Sequence, residues 1–107
     1  MFRELLEAKM KPSAIVKELK GPDWNMGDYV YVKKGNLVVI DTFFYGEDKA
    51  MKDLKNLWST DGAYGKYFKD TYGIEFKVVD EFSEFKASGK HKKLSDDGIV
   101  GIELKVV

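Results

Sequence analysis

The chain predicts an α+β fold: a four-stranded antiparallel sheet with helices packed mainly on one face, in the element order α(α)ββααββ, as one domain over residues 1–107. Three observations carry this expectation. Apolar residues recur at helical spacing over 2–19, 47–58 and 61–72. Two runs rich in β-branched and aromatic residues flank Gly35-Asn36. Residues 74–78 and 100–106 alternate apolar with polar side chains, the pattern of strands solvated on one face.

Each element has its own local reason. Phe2, Leu5, Leu6 and Met10 keep helical spacing, as do Ile15, Val16 and Leu19. Pro12 divides the two sets, because proline suits a first turn and not a helix interior. Gly21-Pro22 stops the second helix. Residues 28–45, DYVYVKKGNLVVIDTFFY, read as a hairpin with a two-residue turn at Gly35-Asn36. That turn sets Lys34 opposite Leu37, Val32 opposite Val39, Tyr31 opposite Ile40, Val30 opposite Asp41 and Tyr29 opposite Thr42. One face then holds Val30, Val32, Leu37, Val39, Asp41, Phe43 and Tyr45. The other holds Tyr29, Tyr31, Lys33, Val38, Ile40, Thr42 and Phe44. Neither face is polar.

A helix over 47–58 follows, with Ala50, Met51, Leu54, Leu57 and Trp58 in one stripe and Glu47 and Asp48 at its positive end. Asp61 reads as the cap of a further helix, which brings Tyr64, Tyr67, Phe68 and Tyr72 into one arc and ends at Gly73. Between the last two strands, KASGKHKKLSDDG reads as a polar loop. No repeat and no linker interrupts the chain.

Composition excludes whole classes of chemistry. There is no cysteine and a single histidine, so thiolate zinc sites, cysteine nucleophiles and multi-histidine centres are out. No Gly-rich phosphate-binding motif is present. His91 lies among Lys90, Lys92 and Lys93, without a serine or carboxylate arranged to make it a catalytic base. Asp96-Asp97-Gly98 reads as a turn before a strand. Eighteen basic and eighteen acidic side chains cancel, whereas a polyanion binder usually carries a basic excess. The lysine cluster at 86–93 is flanked by acids and has no aromatic platform for bases, so nucleic acid is not an expected partner. No apolar run approaches the ~20 residues that cross a bilayer. The expectation is a cytoplasmic protein that needs no cofactor, leans away from enzymatic activity, and contacts no membrane.

The segment LLEAKMKPSAIVKELKG resembles the opening two helices of a helix-turn-helix domain, with a proline-serine turn before an IVKEL helix. The resemblance ends there. GPDWNMGDYVYV turns into a strand, so no recognition helix follows to enter a major groove.

Two functional leads remain. The hairpin is apolar on both faces, and the face bearing Tyr29, Tyr31, Lys33, Ile40, Thr42 and Phe44 suits an interface, since tyrosine rings bury area while their hydroxyls stay satisfied. The first expectation is a non-enzymatic assembly module that forms a two-fold homodimer through that face. The alternative is a domain, conceivably an enzyme, that binds a small apolar or aromatic molecule in a cavity between sheet and helices. Trp24, Tyr64 and Phe68 would line it, and Asp41, the acid that interrupts LVVIDTFFY, would be its polar group.

Overall fold

The structure, a computed structural model, describes residues 10–42, 46–85 and 98–107. The helix expected before Lys11, the residues Phe43, Phe44 and Tyr45, and the loop with His91, its lysines, Asp96 and Asp97 lie outside the described residues. What is described has the expected class. Helix α1 (Pro12–Leu19) leads through a single turn of 3-10 helix (Gly27–Tyr29) into β1 (Val30–Lys33) and β2 (Asn36–Thr42). Helices α2 (Glu47–Trp58) and α3 (Ala63–Tyr72) precede β3 (Phe76–Phe85) and β4 (Gly98–Val106). The four strands form one sheet in the order β1-β2-β4-β3, every neighbour antiparallel. No helix among the described residues is long and apolar enough to cross a membrane.

The helices lie on one face of this sheet. Helix α1 starts with Pro12 at its first turn and buries Ile15 and Leu19 against β1 and β2. Helix α2 buries Ala50, Leu54 and Trp58, and α3 packs on α2 and inserts Phe68. These side chains meet Val30, Leu37, Val39, Val100, Ile102 and Leu104 in one core. Local signals explain the ends. Glu47 and Asp48 stand in the first turn of α2, where the helix dipole favours them. Gly73 closes α3 at φ 71°, a left-handed position that costs glycine nothing.

The hairpin corrects the expected register. Its turn is Lys34-Gly35, both at positive φ (50° and 81°), and Asn36 is the first residue of β2. Val30 therefore pairs with Val39, Tyr31 with Val38 and Val32 with Leu37. A primed turn needs two left-handed residues, and here Lys34 accepts that strain while Asn36 does other work. The Asn36 side-chain amide donates to Glu103 Oε2 at 2.7 Å, across the sheet from β1. Moving the turn back by one residue leaves each side chain on its expected face, because the pairing shifts by an even number of residues. It does change who sits opposite whom: Asp41 faces Val100 on β4, not Val30.

Two further expectations change. Asp61 does not cap α3; the cap is Gly62, without a side-chain bond. A Cβ on Gly62 would lie 1.8 Å from the Asn56 carbonyl oxygen, so the backbone passes too close to the end of α2 for any larger residue. Strand β3 is also longer than the alternation at 74–78 suggests. A bulge between Val78 and Asp80 reverses its alternation. Phe76 and Val78 align with Val106 and Leu104, while Phe82 aligns with Gly101 on the opposite face. Without the bulge, Phe82 would point toward the helices.

Candidate functional site

The face away from the helices has its own small core of Val38, Ile40 and Ile99, flanked by Tyr29, Tyr31 and Phe82. The three aliphatic residues are 0%, 5% and 1% exposed within one chain. Phe82 lies directly on Gly101, where an added Cβ would meet its Cζ at 2.2 Å. Burial pushes the Tyr31 phenol above its ordinary pKa, with Lys33 opposing and Glu84 and Glu103 reinforcing the shift. Lys33 stands 4.0 Å from Glu103 at the end of the hairpin. The face thus brings together Tyr29, Tyr31, Lys33, Ile40 and Thr42 around β1 and β2, and its sixth expected member, Phe44, falls outside the described residues.

A cavity of about 380 Å³ opens at one end of the sheet, toward the helix side. Its origin is the early end of β1. The last β1–β2 pair is Val30 with Val39, because the 3-10 turn at Gly27–Tyr29 swings the preceding chain away. Strand β2 runs on through Ile40, Asp41 and Thr42 with pairing only to β4. Tyr29, expected opposite Thr42, closes no ladder there and becomes part of the cavity wall. The facing wall is Leu54, Leu57 and Trp58 of α2, and Trp24, Met26 and Tyr64 complete the enclosure. Such a volume is at the lower end of the range for small-molecule sites.

The Trp24 side of the cavity is braced by backbone and side-chain bonds. After α1 the chain doubles back on itself: the Asn25 N–H donates to Gly21 O at 2.7 Å and the Met26 N–H to Leu19 O at 2.9 Å. Asn25 sits at φ 53° and Gly27 at φ 55°, two left-handed residues that make the reversal tight. The Trp24 indole N–H donates to Glu18 Oε2 at 3.2 Å. Glu18 also accepts from the hydroxyls of Tyr67 (2.8 Å) and Tyr72. One carboxylate therefore ties α1, the Trp24 turn and α3 together. No sequence signal marked Glu18, because its partners lie up to 54 residues away in the chain.

The Glu18 bonds make an alkaline prediction. Hydrogen bonding to Glu18 holds the Tyr67 and Tyr72 phenols above their ordinary value of 10.0. A folded-state pKa raised above the unfolded one contributes stability below about pH 10 and loses it as pH rises further. Glu18→Gln is expected to flatten the decline of the urea midpoint between pH 9 and 11 relative to wild type. Parallel declines in the two proteins would show that the carboxylate does not govern these tyrosines.

Aromatic contacts form the rest of the frame. Tyr64 meets Trp24 at 5.2 Å and Trp58 at 5.3 Å between ring centroids, tilted at 70° and 60°. Phe68 stacks on Trp24 at 5.8 Å and on Trp58 at 5.9 Å. It is fully buried and does not line the cavity, so the expected wall residue is instead the support behind two walls. Trp24, Asp41 and Tyr64 do come together at the cavity, joined by Trp58.

Asp41 is the one charged residue among the described cavity-lining residues. Its Oδ1 accepts the Thr42 N–H at 2.8 Å. Among the described residues Oδ2 has no hydrogen bond or ion pair. Burial raises the pKa of this carboxyl above its ordinary value, the Thr42 bond opposes the rise, and the charge of Asp53 adds to it. No basic side chain among the described residues neutralises it. The described residues contain no group of three or more metal-ligating side chains. Compared with known proteins, the chain matches no family model, no curated protein and no solved structure.

Proposed function

We propose that this protein binds a small molecule in the cavity between the end of the β1–β2 hairpin and α2. The observation that carries this reading is Asp41: a half-buried carboxylate in an aromatic enclosure, with one oxygen unpartnered among the described residues. Such a group burdens the folded state, and perturbed acids concentrate at functional sites. A second copy seated on the tyrosine face would gain little from Val38, Ile40 and Ile99, since one chain already buries them. The protein is accordingly expected to sediment as a monomer at micromolar concentration.

The test uses the two tryptophans of the chain, both of which line the cavity. A screen of small aromatic compounds is expected to yield ligands that quench tryptophan emission and raise the melting temperature together. Trp24→Ala should abolish both responses. A screen in which no compound at millimolar concentration does either would remove the cavity as a binding site.

Asp41 also makes a pH prediction. Its raised folded-state pKa means that its favourable contribution is present below pH 3.8 and lost as pH rises through the folded value. At pH 7 the charged group is a cost that Asp41→Asn removes, while asparagine still accepts the Thr42 N–H. The variant should melt higher than wild type at pH 7, with the difference closing toward pH 4. An equal or lower melting temperature at pH 7 would mean that the carboxylate is not held at a cost.

A further inference from the structure

Resting on the cavity reading above, we infer that the ligand is an organic cation, a protonated amine or quaternary ammonium carried on an apolar or aromatic body. The cavity combines two kinds of group that attract positive charge. Trp24 and Trp58 both stack on Phe68, and Tyr64 meets each indole at 60–70°, so three cavity-lining rings gather at one side of the cavity. Aromatic rings attract a cation over their faces through their quadrupoles. Beside them, Asp41 offers Oδ2 as an acceptor.

The charges around the cavity agree in sign. No lysine or arginine is among the described lining residues. The one charged group that acts on Asp41 is another acid, Asp53, itself bonded to Lys49 at 3.0 Å. An anionic ligand would meet the Asp41 carboxylate and no lysine or arginine among the described lining residues. A neutral one would leave a desolvated carboxylate facing an apolar surface, which costs free energy unless it is hydrogen-bonded. A cation answers both, and the remaining lining (Val30, Val39, Leu54 and Leu57) accommodates its apolar body.

Calorimetry with a matched pair separates this inference from the broader one. The probes are (3-hydroxyphenyl)trimethylammonium and 3-tert-butylphenol, alike in shape and differing in charge. The cation should bind the wild-type protein at least about ten-fold more tightly than the phenol, the product of cation–π and carboxylate attraction. Asp41→Asn should narrow that ratio to within about three-fold. Equal binding of the two probes would overturn the cationic class and leave the cavity reading standing. A ratio unchanged by Asp41→Asn would overturn the role given to Asp41. Failure of both probes at millimolar concentration would overturn the cavity reading together with this one.

Discussion

Phe68→Ala is expected to cost about 3–5 kcal/mol of folding free energy, the range for truncating a fully buried phenylalanine. Domains hold only about 5–15 kcal/mol in total, so this one substitution should remove a large share of the stability. The reason is position. Phe68 is 0% exposed and touches five rings: it stacks on Trp24, Trp58 and Tyr72 and meets Tyr67 and Phe76 edge-on, with centroids 5.0–5.9 Å away. Removing the ring leaves a cavity that three elements would have to collapse to fill. Phe68→Leu keeps most of the volume and should cost clearly less. Urea unfolding of both variants is the measurement, and a loss below about 1 kcal/mol for Phe68→Ala would show that the aromatic cluster repacks without it.

Gly65→Ala is expected to destabilise by about 1–3 kcal/mol, the range for forcing extra volume into a packed contact. The direction is the informative part, since alanine inside a helix normally gains about 1 kcal/mol over glycine. Here an added Cβ would lie 1.9 Å from the Ser59 carbonyl oxygen and 2.7 Å from that of Trp58. These are backbone atoms at the end of α2, so α3 would have to move away bodily. Trp58 belongs to α2 and Tyr64 to α3, so the same displacement should open the corner they form and weaken ligand quenching. The measurement is a urea midpoint paired with a quenching titration. A variant as stable as wild type would mean that the two helices have room that the structure does not show.

Much of the fold was legible because its signals are local. The stripe of Ala50, Leu54 and Trp58 with acids at the start predicted α2 over 47–58, and the observed helix has those limits. Gly73 after the tyrosine arc ended α3 as expected. The two faces of the hairpin survived an error in its register, since face membership depends on alternation within each strand. Of the cavity residues, Trp24, Asp41 and Tyr64 were visible beforehand: an acid inside an apolar run, and large aromatics near turns.

The features that were not legible arise from contacts between distant parts of the chain. Asn36, expected in the hairpin turn, instead starts β2 and donates to Glu103, 67 positions away. The side taken by Phe82 depended on a bulge that no alternation in VVDEFSEF announces. The placing of Phe68 behind the cavity, and not in its wall, depended on how closely Gly62 and Gly65 let α3 approach α2. By itself, then, the sequence determined the α+β class, the order of its elements and which side of the hairpin and of α2 faces the core, because period and turn chemistry act within a few residues. Tertiary structure alone decided where β1 stops, and with it the open stretch of β2 at which Asp41 meets the aromatic walls, because strand register is set by the sum of pairings across the sheet.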